Sequence, residues 1–378
     1  MRILVLIHEY PPVGGGGGRV AQDICTGLVK AGHTVKILSA HCGDLPQQET
    51  ANGLQIIRLR SWRRQMFRAD LRAMAGYILA AVWRGLAEVR QFRPDVIHAH
   101  FAVPAGAAAW LISKLTGVPY VLTAHLGDVP GGTPEKTGKW FKLIFPFTPP
   151  IWNGAAAVTA VSEFTRGLAQ NSYAVPVQVI PNGVDLREND PGPLEVHHPP
   201  QVVFAGRFMA QKNPLQVVQA LAAVRDLPWR CVMAGDGPLM DLVLAEIEKH
   251  DLHDRFTLPG WVTPQDVLQV YRQSDILLLP SYSEGLPVVG VQAMAYGLAL
   301  VLSRAGGNPE LITGTENGAL IDHPDDGAAY AAALRRLLGS PDALLAARQR
   351  SRELAARFDL PEIVRQYEQV LSAALRQL

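Results

Sequence analysis

Residues 2–39 decide the fold class, and their sequence is RILVLIHEYPPVGGGGGRVAQDICTGLVKAGHTVKILS. The apolar run Arg2–Ile7 predicts a strand, and the amphipathic pattern Gln22–Ala31 predicts a helix. A second apolar run, Thr34–Ser39, predicts another strand directly after the helix. Two strands joined by a helix are typical of a parallel sheet, because parallel strands need a long crossover connection. The stretch therefore predicts an α/β fold.

The alternation of strands and helices continues along both halves of the chain. In the first half, further strands are predicted at 96–100, 120–123, 156–161 and 177–180, with helices at 104–115 and 164–170. The second half restarts with a strand at Gln201–Gly206 and continues to a helix that begins at Pro287. This repetition predicts two doubly wound, Rossmann-like domains in tandem, with a ligand cleft between the carboxyl ends of their sheets.

The domain boundaries follow from a local change in composition. Residues 187–200 are polar and rich in Pro and Gly, which is typical of a linker. We therefore expect an N-terminal domain at 1–186 and a C-terminal domain at 201–360. The last helix, at 361–378, is expected to pack back on the N-terminal domain.

Composition is typical of a soluble globular protein. The 378 residues are 48% hydrophobic and 18% charged, with a net charge of +1. Residues 1–185 hold 18 Lys and Arg against 11 Asp and Glu, so the first half is basic and the second half acidic. The three cysteines form no C-x-x-C pattern, and no apolar run reaches the length of a membrane span. These features predict a cytoplasmic protein.

Five consecutive glycines, Gly14–Gly18, stand between the first strand and the first helix. A dinucleotide fingerprint that begins at Gly14 requires glycine at position 19, where Arg19 stands. A flexible linker fits poorly between a strand and an amphipathic helix. A structural turn and an anion-binding loop remain, and in the second case backbone N–H groups at the helix start receive a diphosphate.

Two segments of the second half carry candidate binding groups. In FAGRFMAQKNP, Arg207 ends a strand and Lys212 precedes a helix, so both are placed to bind phosphate oxygens. In SYSEGLPVVGVQAMAYG, Glu284 lies just before a helix and Gln292 lies about two turns later. The backbone N–H groups at this helix start are available to phosphate or sugar oxygens, and they belong to Gly285, Leu286 and Val288. A plain helix-capping role for Glu284 is the alternative.

In their order and spacing, these segments resemble the family 4 glycosyltransferases of the GT-B fold. The motifs that carry the resemblance are PPVGGGGG, DVIHAH, TAHLGD, VSEFTR, VIPNGVD, AGRFMAQKNP, MAGDGP, LPGWV and DILLLPSYSEGLPVVGVQAMAYG. The resemblance implies transfer of a sugar from a nucleotide diphosphate sugar with retention of configuration, by a hexosyltransferase-type enzyme that needs neither cofactor nor metal. It assigns the donor to the C-terminal domain and most of the acceptor site to the N-terminal domain.

The resemblance also implies residue roles. Arg207 and Lys212 neutralise the diphosphate, and Gly15 and Gly16 approach it from the other domain. Glu284 holds hydroxyls of the donor sugar, and His125 offers that sugar a hydrogen bond. The family carries Glu-x7-Glu, but the second position here is Gln292, which binds a ribose hydroxyl without charge. A sugar-nucleotide epimerase of the same fold and a non-catalytic nucleotide-sugar binder stay open as alternatives.

Two basic segments of the first half contain aromatic residues. Arg58–Arg72 holds six arginines with Trp62 and Phe67, and Lys136–Phe147 holds three lysines with Trp140. This composition suits an anionic membrane surface, although a solvated helix and a packed loop explain it equally well. The acceptor is therefore expected to be a sugar, a lipid-linked molecule or a small molecule, with the protein peripheral at the inner face of the membrane. No segment calls for nucleic acid, and His98 and His100 lack metal-ligand spacing.

Overall fold

The computed structural model describes residues 1–133 and 144–377, and it divides the chain into two compact units. The first unit comprises Met1–Gly183 with Leu360–Leu378, and the second comprises Val184–Asp359. Each unit contains one mostly parallel β-sheet with helices between its strands. The predicted α/β class and the predicted pair of Rossmann-like domains are confirmed.

The first unit has an eight-stranded sheet. Its strands are β1 (Arg2–Leu6), β2 (Thr34–Ala40), β3 (Gln48–Ala51), β4 (Leu54–Leu59), β5 (Val96–His100), β6 (Tyr120–Ala124), β7 (Ala157–Ala160) and β8 (Gln178–Val179). Its α-helices up to Gly183, among the residues that the structure describes, are α1 (Gly16–Lys30), α2 (Leu71–Gln91), α3 (Ala107–Thr116), α4 (Pro149–Asn153) and α5 (Glu163–Ser172). The strand order is β3-β4-β2-β1-β5-β6-β7-β8, and β3 is antiparallel to β4.

The second unit has a six-stranded parallel sheet. Its strands are β9 (Gln201–Ala205), β10 (Arg230–Ala234), β11 (Phe256–Gly260), β12 (Ile276–Leu279), β13 (Ala299–Ser303) and β14 (Gly318–Ile321). Its helices are α6 (Pro214–Ala222), α7 (Met240–Lys249), α8 (Pro264–Arg272), α9 (Val288–Ala295), α10 (Gly327–Leu338) and α11 (Pro341–Leu354). The strand order is β11-β10-β9-β12-β13-β14. The last helix, α12 (Leu360–Ala374), belongs to the first unit and packs on α1.

The central strands form because their side chains are apolar on both faces. In β1, Ile3, Leu4, Val5 and Leu6 are completely buried, and all four residues of β12 are buried as well. Covered parallel sheets favour such continuous apolar runs, and burying each side chain contributes about 1.5–3 kcal/mol. The local sequence therefore predicts these strands well.

The stretch 187–200 belongs to the second unit and is tied to it by side-chain contacts. Arg348 on α11 donates to the carbonyl of Glu195 at 2.5 Å and forms a buried ion pair with Asp275. His197 contacts the same Asp275 at 3.0 Å. The chain leaves the first unit after Gly183 and returns to it at Leu360. Contacts between residues 73–153 positions apart are not visible in local composition.

Two of the six arginines in Arg58–Arg72 are buried structural residues. Arg58 donates to Glu49 at 2.6 Å and to the carbonyl of Pro11 at 3.2 Å, so it ties three segments together. Arg63 is equally buried. Most of the second basic segment, Lys136–Phe147, lies outside the described residues. Within the parts that are described, no helix is long and apolar enough to cross a bilayer.

Candidate functional site

In the second unit, the predicted binding residues follow two adjacent strands, β9 and β12. From β9 the chain continues outward through β10 and β11, and from β12 it continues in the opposite direction through β13 and β14. The connections therefore diverge between β9 and β12, which pair in parallel. Such a switch point leaves a crevice at the carboxyl ends of the strands, where ligands bind in doubly wound sheets. Arg207 and Lys212 follow β9, and Glu284 follows β12.

The structure brings Lys212 and Glu284 into direct contact. The Lys212 Nζ lies 2.6 Å from Glu284 Oε1, and their side chains are 20% and 7% exposed. The neighbouring residue Gln211 holds the two loops together, since its Nε2 donates to the carbonyl of Ser283 at 2.9 Å. Its own carbonyl accepts from the N–H of Tyr282 at 2.8 Å. A buried carboxylate requires such a partner, so the pair is a fixed feature of the crevice.

Arg207 lies half-buried in the turn that ends β9. Its backbone is held on both sides, because Gly206 donates to the carbonyl of Ala234 at 3.0 Å and Phe208 donates to that of Asp236 at 2.9 Å. Phe208 itself is fully buried in the core. The turn is therefore rigid, and it places Arg207 at the carboxyl edge of the sheet.

Gly306 fixes the backbone of Glu284 and was not singled out from the sequence. Its φ of +56° lies in the left-handed region, and a Cβ atom there would lie 1.6 Å from the carbonyl oxygen of Glu284. The N–H of Gly307 donates to that same oxygen at 3.3 Å. Only glycine fits position 306. The sequence feature that could have identified position 306 is the glycine pair at 306 and 307, which follows the apolar strand β13.

Helix α9 begins directly after the Glu284 loop. Pro287 is its N-cap residue, and Val288 is its first residue rather than Pro287. The first turn of the helix leaves backbone N–H groups without intrahelical acceptors, Val288 among them. Gln292 lies one turn further along and is half-buried. Gly297, with a φ of +65°, follows the C-cap residue Tyr296.

In the first unit, the glycine run lies at the corresponding switch point, between β1 and β5. The order of the sheet reverses there, and the two strands pair in parallel. Gly15 is the N-cap of α1, and Gly16 is its first residue; both are exposed. The helix therefore begins six residues before the predicted Gln22. The first turn packs tightly, because a Cβ atom on Gly17 would lie 2.5 Å from the ring of Phe101.

Arg63 supports the glycine turn through hydrogen bonds to backbone carbonyl groups next to it. Its Nη1 donates to the carbonyl of His8 at 3.1 Å, and its Nη2 donates to that of Met66 at 3.0 Å. The N–H of Gly14 donates to the carbonyl of the same Met66 at 2.8 Å. A basic residue that was assigned to a surface patch thus holds the loop that presents Gly15 and Gly16.

His125 follows β6 and is held by three neighbours. Its backbone N–H donates to Asp128 Oδ1 at 2.9 Å, and the other oxygen of Asp128 accepts from Ala102 at 2.7 Å. Its ring lies 4.5 Å from that of Phe101. Its Nε2 lies 3.0 Å from Nδ1 of His100. Asp128 and His100 were not predicted as site residues, although both stand in the motifs that carry the resemblance.

The four histidines in this region are neutral. Burial is the largest cause that lowers the pKa of His125 to about 3, and the nearby His98 and His8 contribute to the same shift. Burial also lowers the pKa of His98 to about 3 and that of His8 to about 4. The pKa of His100 is well below its usual value for the same reason. Neutral imidazole rings can pack together, and the rings of His98 and His100 lie 4.1 Å apart.

The hydrogen-bond network assigns the tautomer of His125. His100 Nε2 is buried and has no partner among the described residues. A buried N–H without an acceptor is rarer than a lone pair without a donor, so the proton of His100 belongs on Nδ1. His100 then donates to His125 Nε2, which leaves the proton of His125 on Nδ1. His125 is therefore prepared to donate a hydrogen bond.

His98 has a structural position. It is completely buried, and its Nε2 lies 2.8 Å from Thr123 Oγ1, which in turn lies 2.8 Å from Thr159 Oγ1. The residues that the structure describes contain no group of His, Cys, Asp or Glu arranged to hold a metal ion. A structural packing role fits both His98 and His100, because neither residue is exposed.

Comparison with known proteins places this arrangement in a family. Residues 14–188 match the family model described as Glycosyltransferase Family 4, and residues 187–354 match the one described as Glycosyl transferases group 1. The glycogen synthase of Mycobacterium tuberculosis is 30% identical over 420 residues, which cover 100% of this chain and 95% of that protein.

Solved structures share the fold along nearly the whole chain. Sucrose-phosphate synthase from Thermosynechococcus elongatus aligns with a TM-score of 0.85 at 21% identity and covers 97% of both chains. HepE from Anabaena, in complex with UDP and glucose, aligns with a TM-score of 0.77 at 20% identity. That alignment covers 98% of this chain and 99% of HepE.

Proposed function

This chain belongs to the family 4 glycosyltransferases, and from that premise we propose that it transfers a hexose from a nucleoside diphosphate sugar to an acceptor hydroxyl. HepE, which has the same fold, was solved with UDP-glucose and with UDP. The proposal extends this class of donor to the present chain. The identity of the base and of the sugar is left to experiment.

The observation that carries the proposal is the contact between Lys212 and Glu284 at the switch point of the second sheet. An ammonium group suits a phosphate oxygen, and a carboxylate suits sugar hydroxyls. In a nucleotide sugar these two parts are covalently adjacent. A cation and a carboxylate 2.6 Å apart therefore match the junction between the diphosphate and the sugar.

The chemistry requires charge stabilisation on the leaving diphosphate. When the bond between the anomeric carbon and the phosphate oxygen breaks, negative charge develops on the phosphate. Lys212 is held by its ion pair with Glu284, and Arg207 stands in a hydrogen-bonded turn. Such preorganised charge is the largest single contribution to many enzymatic rates. We propose that Arg207 and Lys212 make a metal ion unnecessary, so that a chelator should leave the rate unchanged.

We propose that the first unit contributes Gly15, Gly16 and His125 to substrate binding. The glycines expose backbone N–H groups at the start of α1, where the helix dipole favours an anion. His125 donates from Nδ1 to an oxygen of the sugar, a role that its tautomer supports. A neutral histidine with a pKa of about 3 is a poor proton acceptor at neutral pH. Retention of configuration is proposed from the family resemblance.

Gln292 replaces the second glutamate of the family motif, and we propose that it binds the ribose. Its amide accepts a hydrogen bond from a hydroxyl, but without the extra strength of a charged acceptor. The backbone N–H groups of Gly285, Leu286 and Val288 are proposed to bind oxygens of the donor. We further propose that the protein works in the cytoplasm and associates peripherally with anionic membrane, with a lipid-linked or soluble acceptor.

Incubation with a panel of nucleotide sugars tests the proposal against its alternatives. Release of nucleoside diphosphate that depends on an added acceptor supports glycosyl transfer, and proton NMR of the product reads its anomeric configuration. Epimerised sugar without transfer would indicate an epimerase. Binding of the nucleotide by calorimetry without turnover of any donor would indicate a non-catalytic binder, the possibility that Gln292 raises.

A further inference from the structure

Large apolar side chains are concentrated on one exposed part of the first unit. Trp62 and Phe67 lie in the loop after β4, and Leu71, Leu79 and Trp83 lie on α2. Trp83 is 82% exposed and Leu79 is 66% exposed. A folded protein gains nothing from exposing them, so their position calls for an external apolar partner.

The outer face of α2 combines these apolar residues with arginines. Arg72, Leu79, Trp83 and Arg90 are spaced by seven, four and seven residues, which places all four on one stripe of the helix. The helix has a single acidic residue, Glu88, and its side chain is completely buried against Lys36 and Arg84. The stripe therefore carries cations at both ends and no negative charge.

The loop before α2 extends the same surface. Arg60, Arg64 and Arg68 are exposed, and they alternate with Trp62 and Phe67. The ring of Trp62 lies against the helix, because a Cβ atom on Gly76 would lie 2.7 Å from its Cε3 atom. The loop and the helix thus form one continuous surface.

We propose that this surface, formed by residues 60–72 and the outer stripe of α2, docks on an anionic lipid bilayer. The apolar side chains enter the interface between headgroups and acyl chains, and the arginines bind lipid phosphates around them. Positive charge that clearly exceeds the one carboxylate among residues 60–72, Asp70, selects a negatively charged surface, which is why lipid is favoured over a second copy of this chain. The proposal specifies the contact residues of the peripheral association proposed above and does not depend on glycosyl transfer.

Vesicle co-sedimentation of the full chain tests the docking surface. The probes are vesicles of phosphatidylcholine alone and of phosphatidylcholine with phosphatidylglycerol, at low and at high salt. We expect binding only to the anionic vesicles, and weaker binding at high salt because the Debye length shortens. The partition of the Leu79→Ser/Trp83→Ser variant onto these vesicles should fall by at least about tenfold, because its apolar contacts are lost. Arg68→Gln should lower partition about fivefold, which corresponds to about 1 kcal/mol.

The matched control is Leu242→Ser, since Leu242 is a 54% exposed leucine on α7 of the second unit. It should bind as tightly as the unchanged chain. Equal binding of the Leu79→Ser/Trp83→Ser variant would refute this surface while leaving peripheral association intact. Absence of binding by the unchanged chain would refute both. If sedimentation velocity shows a dimer that the double substitution dissociates, the partner is a second copy and the lipid assignment is wrong. Release of nucleoside diphosphate, measured in parallel, decides the catalytic proposal separately.

Discussion

Replacing Lys212 by alanine should destabilise the second unit by about 3 kcal/mol. The substitution leaves the Glu284 carboxylate in place without its ammonium partner. Removing one member of a buried ion pair costs about 3–5 kcal/mol, because the remaining charge stays desolvated. Lys212 is 20% exposed, so some water reaches the site and the lower end of that range applies.

A second substitution, Glu284→Gln, should restore part of the lost stability when it is combined with Lys212→Ala. Alone it should cost about 1 kcal/mol, since a neutral amide still accepts a hydrogen bond from Lys212. The combined Lys212→Ala/Glu284→Gln variant has no buried charge left to solvate. Its loss of unfolding free energy should therefore be about 2 kcal/mol smaller than the sum of the losses in the two single variants.

Urea unfolding followed by circular dichroism measures each free energy of unfolding. A matched control is Lys249→Ala, which removes an ion pair of similar length, 2.9 Å, to Glu246 but on the surface, where the lysine is 63% exposed. The control should change stability little. Calorimetry with UDP then measures the functional role, and Lys212→Ala and Arg207→Ala should each weaken binding by about 1.5–3 kcal/mol.

Two results would refute this reasoning. If the effects of Lys212→Ala and Glu284→Gln add within about 0.5 kcal/mol, the two groups are not energetically coupled. If folded Lys212→Ala binds UDP as tightly as the unchanged chain, the lysine does not bind the diphosphate.

Three further predictions concern other parts of the two units. Gln292→Glu should preserve or tighten the binding of a nucleoside diphosphate in calorimetry, and a large loss would show that this position does not face ribose. Arg348→Ala should lower the free energy of unfolding by about 3 kcal/mol because Asp275 stays buried without its guanidinium partner, whereas Arg350→Ala, which breaks only surface ion pairs, should have little effect on the same urea curves. For His125, the unfolded chain takes up a proton below about pH 6.5, but the folded chain does so only near its pKa of about 3. Its contribution to stability is therefore complete above pH 6.5 and is lost as the pH falls, by about 1.4 kcal/mol at pH 5.5. Urea unfolding measures how much the free energy of unfolding falls between pH 7.5 and pH 5.5. This fall should be smaller for His125→Gln than for the unchanged chain, and an equal fall would contradict the neutral state of the histidine.

Local sequence predicted strands that are buried on both faces, such as β1 and β9. Their apolar runs are continuous, and no competing pattern overlaps them. Prediction was poorer where a helix begins on glycine or carries apolar residues outward. Helix α1 begins at Gly16 instead of Gln22, since its first turn is specified by contact with Phe101 and not by helix propensity. Helix α2 was not predicted, because Leu79 and Trp83 lie on its exposed face and obscure the amphipathic pattern.

The candidate site was predicted in part. The sequence singled out Arg207, Lys212, Glu284 and His125, and their assigned roles stay predictions. It did not indicate that Lys212 and Glu284 form an ion pair across 72 positions of the chain. Nor did it distinguish buried Arg63 from the exposed Arg64 that follows it, because charge alone does not report burial.

The sequence by itself determined the fold class, the two-fold repetition of the α/β pattern and the family resemblance, because these depend on periodicity and on motifs that are local along the chain. Tertiary structure decided which of these local features meet. The order of the strands sets the two switch points, and those switch points bring Lys212 to Glu284 and Phe101 to the glycine turn. It also decided which side chains are desolvated, and desolvation fixes the neutral state of His125 and the ion pairing of Arg348 with Asp275. Both depend on distances between atoms that are far apart in the chain, which no local pattern encodes.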